Sequence, residues 1–251
     1  MTGYMVPELW CNRCHREPAD GDGPDVTPEV LSVGAWATNA ELVAEVAALG
    51  WLTDDMDVLD ATYGKGNFWT EYRPPRLVGI DLNPAKSDPL WGPMDFRDLA
   101  FADRSFDAVV FDPPYKLNGT PSLDDFDTAY GIEAPTNWRD RMALILDGAA
   151  ECARVAKRHL LVKCQDQVVS GQMRWQTDAV TDVVTSLGFR KADRFDFGAL
   201  KIADDDELEV KRGRSQPPGR SQVHARHNAS QLLVFTRGRV DNGSRAAEGA
   251  A

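Results

Sequence analysis

Four consecutive residues, Asp112-Pro113-Pro114-Tyr115, carry the clearest chemical signal in this chain. They directly follow the apolar run Ala108–Phe111, which predicts a buried strand. Neither proline can donate a backbone hydrogen bond, so the strand ladder stops there. The sequence therefore predicts a carboxylate, a stiff backbone and an aromatic ring at the carboxyl end of a strand. That edge of an open α/β sheet is where ligands bind.

Such a cluster suits group transfer to the exocyclic amino nitrogen of a nucleobase. This nitrogen is a poor nucleophile because its lone pair is delocalised into the ring. A carboxylate and a proline carbonyl that accept its two N–H bonds would aim the lone pair and stabilise the developing positive charge. The tyrosine ring could stack on the base. A turn with no chemical role is the alternative interpretation of two prolines after a strand.

The motif resembles the catalytic DPPY motif of the S-adenosylmethionine (SAM) dependent amino-methyltransferases that act on adenine N6 or cytosine N4, as found in bacteria and their viruses. The resemblance implies that Asp112, Pro113, Pro114 and Tyr115 are the catalytic residues. It also implies that the target base is flipped out of the stack.

A second group of residues predicts a nucleoside-containing cofactor. Asp60 ends a predicted strand and is followed by Gly64 and Gly66, which permit close backbone approach to a ligand. Asp81 ends the next predicted strand, where an acidic residue suits the two hydroxyls of a ribose. A dinucleotide fingerprint would need a third glycine where Trp69 stands, so a pyrophosphate site is poorly supported.

The loop sequence DATYGKG resembles methyltransferase motif I and also the glycine loop of bacterial rRNA cytosine-N4 methyltransferases. It departs from many DNA amino-methyltransferases at Thr62 and at Asn67. The resemblance implies SAM as cofactor, with an acidic residue near the adenine amino group and an aromatic residue near the adenine ring. The implied cofactor-binding residues are Asp60, Thr62, Tyr63, Gly64, Gly66, Asp81, Asp95 and Phe96. A solvated turn is the alternative for the last two.

Charge is unevenly distributed along the chain. The formal net charge is −11, but the window from Val210 to Val240 contains seven Lys or Arg residues, two His and no Asp or Glu. This basic window favours contact with phosphates, although a solvated loop is the commoner meaning of a charge run. We expect nucleic acid as partner, with DNA preferred over RNA. No apolar run is long enough to span a membrane and the first residues lack a secretory pattern, so we expect no membrane association and a cytoplasmic location.

The cysteines indicate little chemistry. Cys11 and Cys14, with His15, have the spacing of half a zinc site, but no second close pair completes it, so no metal is predicted. Cys152 and Cys164 fall in helix and strand patterns and are expected to be core residues.

Helix and strand patterns place these motifs. Thr38 and Glu41 form a capping box that predicts a helix before the first strand, and Gly188 should stop a helix from Thr177 to Leu187. Further predictions are a loop from Lys116 to Asn137, a helix from about Arg139 to Val155, and strands His159–Lys163, Phe189–Phe197 and Gln231–Thr236. Gln165, Asp166 and Gln167 could line the target pocket or form a polar turn.

The predicted fold class is α/β, a mostly parallel sheet with helices on both faces. The resemblance adds a Rossmann-like class I methyltransferase sheet of seven strands with an antiparallel last strand. The predicted organisation is an extension over residues 1–34, a methyltransferase domain over 35–240 with a basic insertion at 198–229, and a disordered tail at 241–251. The predicted function is methyl transfer to the amino group of adenine or cytosine in DNA. The alternatives are an RNA base methyltransferase, a protein glutamine methyltransferase and an inactive nucleic-acid-binding homologue.

Overall fold

The computed structural model describes residues 36–117, 137–198 and 229–238. The predicted extension with Cys11, Cys14 and His15, nearly all of the basic insertion, and the tail lie outside the described residues. So does most of the predicted polar loop after the DPPY motif.

The described residues form a six-stranded sheet and a separate two-stranded hairpin. The sheet has the order β2-β1-β3-β4-β8-β7, and the hairpin pairs β5 with β6. The strands are β1 Asp57–Asp60, β2 Arg76–Gly79, β3 Phe106–Phe111, β4 Ala156–Cys164, β5 Gln167–Val169, β6 Gln172–Arg174, β7 Phe189–Phe197 and β8 Ser230–Arg237.

One strand runs against the others. Strands β2, β1, β3 and β4 are paired in parallel, whereas β8 lies antiparallel between β4 and β7. A mostly parallel sheet with a late antiparallel strand inserted next to the edge is the Rossmann-like class I methyltransferase topology, so the predicted fold class is confirmed.

The expected count of seven strands is wrong for the described residues. The missing strand would follow β2, where residues 80–105 form turns and irregular backbone instead. This segment contains Pro84, Pro89 and Pro93, whose missing N–H groups disfavour a sheet ladder. Strand β2 is therefore an edge of the sheet, and strands and helices do not alternate throughout.

Within the described ranges, three α-helices and one short 3₁₀ turn accompany the strands. They are α1 Asn39–Ala48, the 3₁₀ turn Asn67–Trp69, α2 Trp138–Val155 and α3 Gln176–Ser186. The predicted cap of α1 is present: the Thr38 hydroxyl accepts a hydrogen bond from the Glu41 N–H at 3.2 Å. Gly188 has a φ of +87° and follows α3 as its predicted stop.

The sheet buries a core on each face, because alternate strand residues point to opposite sides. One core joins the sheet to α1, and its strand residues include Val58, Ala108, Val110 and Leu161. The other joins the sheet to α2 and α3, and its strand residues include Leu59, Val109, Phe111, Leu160 and Val162. Cys152 and Cys164 are buried in this second core, as predicted. Helices on both faces are thus confirmed.

Among the described helices, none has the length and apolar character needed to cross a membrane.

Candidate active site

Parallel pairing gathers the predicted site residues at one edge of the sheet. Strand β1 ends at Asp60, β2 leads through Ile80 to Asp81, and β3 is followed at once by Asp112. Because these strands are neighbours and parallel, their carboxyl ends meet at the same edge. The sequence therefore placed the three carboxylates correctly relative to the sheet.

Asp112 is attached to the glycine loop through its backbone. Its N–H donates to the Thr62 hydroxyl oxygen at 2.8 Å. Its carboxyl oxygen Oδ1 is buried and has no hydrogen-bond partner among the described residues. Burial raises the pKa of the Asp112 carboxyl, and the positive charge of Lys163 acts in the opposite direction. An acceptor oxygen is thus held in place and available for a donor.

The DPPY backbone forms a tight turn. The Tyr115 N–H donates to the Pro113 carbonyl at 2.6 Å, the i to i+2 pattern of a γ-turn. A carbonyl oxygen has two lone pairs, so the Pro113 carbonyl can accept one further hydrogen bond. Burial raises the pKa of the Tyr115 hydroxyl to about 12, so this ring stays neutral.

Two buried glutamines, which follow β4 in the chain, donate hydrogen bonds to the DPPY motif. The side-chain amides of Gln167 and Gln176 both donate to the Tyr115 carbonyl, at 2.8 and 3.0 Å. Gln176 also accepts from the Gln165 N–H at 2.9 Å through its Oε1. The structure therefore places Gln165 and Gln167 in a network that positions the motif.

Asp166, the residue between them, has a local structural contact. Its carboxylate accepts hydrogen bonds from the N–H and hydroxyl of Thr177, at 2.9 and 3.0 Å, in the first turn of α3. This contact fixes the start of α3, and hence Gln176, against the end of β4.

The glycine loop folds back on β2. Gly64 and Gly66 have φ values of +56° and +72°, in the left-handed region that glycine adopts without strain. The Tyr63 ring lies directly on Gly79, where an added Cβ would be only 2.5 Å from the ring carbon Cγ. The absence of a side chain at Gly79 is thus what allows Tyr63 to pack there.

Both carboxylate oxygens of Asp60 accept hydrogen bonds from the loop that follows it. One carboxylate oxygen accepts from the Thr62 N–H at 2.9 Å and the other from the Trp69 indole N–H at 2.7 Å. Burial raises the pKa of Asp60 to about 7, although both hydrogen bonds act to lower it. Trp69 stands where a dinucleotide fingerprint would need a glycine, and its contact with Asp60 is not predicted by the sequence.

Asp81, which follows β2, is hydrogen-bonded to the same loop. Its carboxylate accepts from the Gly64 N–H at 3.1 Å and from the Asn83 N–H at 2.8 Å, through different oxygens. Each oxygen of an ionised carboxylate can accept more than one hydrogen bond. Asp81, which is predicted to bind the ribose, can therefore still accept hydrogen bonds from hydroxyl groups.

The two remaining predicted cofactor residues have different environments. Asp95 is partly exposed and paired with Arg97 at 2.5 Å, which lowers the pKa of the Asp95 carboxyl. Phe96 is buried, with its ring 5.1 Å from that of Phe111 and packed over Gly148. The structure thus places Phe96 in the core beneath the site, and its role beside an adenine ring stays a prediction.

A cleft of about 500 Å³ opens beside the glycine loop, a size typical of small-molecule sites. Its lining includes Tyr63 and Gly64 from the loop and the cations Lys65, Arg73 and Lys86.

Lys163 is a site residue that the sequence interpretation missed. It precedes the last residue of β4 and is only 2% exposed. Its ammonium donates to the Asn39 side-chain oxygen at 2.5 Å. The available signal was a lysine inside the otherwise apolar run Leu160–Cys164, at the predicted strand end.

Comparison with known proteins gave fold-level similarity. No protein-family model and no curated protein matches the sequence. Similar solved structures include a magnesium protoporphyrin IX methyltransferase from Synechocystis PCC 6803 with bound SAM, at 15% identity, 80% coverage of this chain, 78% of the other and a TM-score of 0.42. A SAM-dependent methyltransferase from Methanosarcina mazei has 14% identity, coverages of 76% and 96%, and a TM-score of 0.42. TrmN from Thermus thermophilus has 11% identity, coverages of 79% and 49%, and a TM-score of 0.45.

Proposed function

We propose that this protein is a SAM-dependent methyltransferase that modifies the exocyclic amino group of a DNA base, adenine N6 or cytosine N4. The observation that carries the proposal is the Oδ1 atom of Asp112, which is buried, lacks a hydrogen-bond partner among the described residues and stands at the carboxyl end of β3. A buried acceptor without a donor costs free energy unless a ligand supplies the donor. An amino group is such a donor.

The residues of the glycine loop fit a nucleoside cofactor. Asp81 retains acceptor capacity for ribose hydroxyls, and Gly64 and Gly66 leave no side chains between the backbone and a ligand. The bound cofactor would supply a methyl group activated by a sulfonium. Through the Thr62 hydroxyl, the loop that would hold it is connected to the backbone of Asp112.

The DPPY residues would position the acceptor base. The Asp112 carboxylate and the Pro113 carbonyl would each accept one hydrogen of the amino group, which aims the nitrogen lone pair away from both oxygens. The negative carboxylate would also stabilise the positive charge that develops on this nitrogen. The Tyr115 ring, whose backbone is held by Gln167 and Gln176, would stack on the base.

DNA is the preferred polymer because the DPPY motif with an aspartate resembles that of the DNA amino-methyltransferases. The basic window from Val210 to Val240, outside the described residues for most of its length, would supply phosphate contacts on an otherwise acidic chain.

The test is an incubation of the purified full chain with methyl-labelled SAM and either unmethylated duplex DNA or total RNA, followed by digestion to nucleosides. We expect label in N6-methyldeoxyadenosine or N4-methyldeoxycytidine. Label in the corresponding ribonucleosides alone would replace DNA with RNA as substrate. Label in neither polymer, with SAM binding detected by calorimetry, would refute the acceptor, and absence of SAM binding would refute the whole proposal.

A further inference from the structure

Lys163 and Asp112 stand side by side at the edge of the sheet. Phe111 of β3 is aligned with Val162 of β4 in parallel register. Lys163 is the next residue of β4 and Asp112 is the residue directly after β3, so continued alternation puts both on the same face, and the charge of each acts on the other. This position brings a buried cation next to the proposed catalytic carboxylate.

Aromatic rings surround the Lys163 ammonium. Its Nζ lies 5.1 Å from the ring centroid of Phe197, 5.4 Å from that of Phe68 and 5.8 Å from that of Tyr115. All three distances fall within the range of about 6 Å over which a cation is attracted to a ring face. Together with the hydrogen bond to Asn39, these contacts stabilise a charge that burial would otherwise disfavour.

The same contacts keep the ammonium from pairing directly with Asp112. No salt bridge joins these two described side chains, and the Asp112 Oδ1 atom remains without a partner. A direct ion pair at Oδ1 would take one of the acceptor positions that are open to the amino group of a substrate. An ammonium held nearby by rings and Asn39 supplies positive charge and leaves the Oδ1 atom of Asp112 available.

We propose that Lys163 is a positioning residue whose charge keeps the Asp112 carboxyl in its ionised, hydrogen-bond-accepting form. The role in methyl transfer rests on the proposed function, whereas the charge coupling itself is a property of the folded protein.

The electrostatic neighbourhood supports this assignment. Lys163 is the cation whose charge acts on Asp112 among the described residues, while the titratable groups Asp60, Tyr115 and Cys164 are all influenced by the Asp112 charge. None of these three groups can become positive. Conversely, burial lowers the pKa of Lys163, and the Asp112 charge raises it.

The experiment measures the ionisation of Asp112 directly. Protein labelled with ¹³C at the aspartate side-chain carboxyl is titrated by NMR, and the Asp112 signal is assigned by its loss in Asp112→Asn. In Lys163→Met we expect the Asp112 midpoint to rise by about one pH unit or more. Lys157→Met removes an exposed lysine from the start of the same strand and should leave the midpoint unchanged. An unchanged midpoint in Lys163→Met would overturn the proposal.

A reciprocal measurement covers the case in which Lys163→Met does not fold. The interaction energy of two charges is shared, so Asp112→Asn should lower the pKa of Lys163, observed by ¹⁵N NMR of the lysine side chain. A Lys163 pKa equal in wild type and Asp112→Asn would contradict the coupling just as directly.

Activity then separates the two proposals. For Lys163→Met we expect the acidic limb of the kcat profile to move to higher pH, with Lys163→Arg restoring the wild-type limb. A wild-type enzyme that methylates no nucleic acid would refute the proposed function but leave the NMR titrations to decide the charge coupling. A Lys163→Met profile with an unmoved acidic limb in an active enzyme would refute the role of Lys163 in transfer.

Discussion

The side-chain oxygen of Thr62 accepts a hydrogen bond from the backbone N–H of Asp112 at 2.8 Å, and this bond joins the glycine loop to the DPPY motif. The two residues are 50 positions apart in sequence and follow neighbouring parallel strands. Thr62 is also where the loop departs from many DNA amino-methyltransferases. A hydroxyl at this position therefore gives the chain a direct connection between its candidate cofactor loop and its candidate catalytic residue.

Replacing Thr62 with valine should weaken both stability and transfer. Valine keeps the shape of threonine but leaves the part-buried Asp112 N–H without this acceptor, which costs about 1 kcal/mol. We expect a corresponding loss in the free energy of unfolding and a lower kcat because Asp112 is less firmly held. Thr62→Ser retains the hydroxyl and should preserve most of both, as measured by denaturant unfolding and label transfer.

Asp112→Asn tests the catalytic carboxylate. The amide keeps the size of the side chain but removes the charge that would stabilise the developing positive nitrogen, so we expect kcat to fall by about 10²-fold or more. The dissociation constant for SAM should change little. Asp107→Asn is the control, because Asp107 lies near the opposite end of β3, the strand that Asp112 follows, and pairs there with Lys157. Equal losses of SAM binding and transfer in Asp112→Asn would contradict this role.

Gln176→Leu should disturb the DPPY motif from a distance. The substitution removes the donor to the Tyr115 carbonyl and leaves the Gln165 N–H without its acceptor, so the free energy of unfolding should fall by about 1–3 kcal/mol. We also expect kcat to fall, since the Tyr115 carbonyl would lose one of its two described side-chain donors and keep that of Gln167. Gln172→Leu changes an exposed glutamine of β6 and should alter stability by less than about 0.5 kcal/mol. Unaltered kcat in a folded Gln176→Leu protein would refute the positioning role.

Local sequence signals predicted most of the elements. Strand β7 has the predicted bounds Phe189–Phe197, and α3 differs from its predicted bounds by one residue at each end. Helix α2 begins one residue before the predicted start, where the Asn137 side chain caps its first N–H groups. Turn residues, caps and periodicity are all encoded within a few positions, which is why these boundaries could be inferred.

Contacts between distant residues could not be inferred in the same way. Gln176 looks like a polar residue at the start of an amphipathic helix, yet it is fully buried because it reaches Tyr115, 61 positions earlier. Lys163 is buried because Asn39, 124 positions away, accepts from it and three rings surround it. Both depend on how strands align in the sheet, which periodicity alone does not specify.

Asp60 should make stability fall as pH rises. Its pKa is about 7 in the folded protein, against 3.8 for an unperturbed aspartate, so the folded state binds a proton more tightly than the unfolded state. The stabilisation that protonated Asp60 contributes is therefore fully present below about pH 4. It is lost as the pH rises toward 7, and the free energy of unfolding falls by up to about 1.4 kcal/mol per pH unit.

The comparison with Asp60→Asn isolates this effect, because other titrating groups cancel in the difference. We expect the unfolding free energy of wild type minus that of Asp60→Asn to decrease between pH 4 and 7. A difference that is flat or increases over this range would show that Asp60 is ionised in the folded protein.

Gly79→Ala should move Tyr63 and loosen the glycine loop. The added Cβ would overlap with the near end of the Tyr63 ring, which cannot swing away without shifting the loop backbone. Overpacking of this kind costs about 1–3 kcal/mol, and a displaced loop should raise the dissociation constant for SAM by about tenfold. Gly238→Ala is a matched control, since a Cβ there meets no atom within 4 Å.

A double-mutant cycle identifies the cause of the loss. In a Tyr63→Ala background the ring is absent, so adding Gly79→Ala should cost much less than it does in the wild type. Calorimetry of SAM binding and denaturant unfolding of the four proteins give the coupling between the two positions. Additive effects would mean that the Gly79 backbone, and not its contact with Tyr63, determines the shape of the loop.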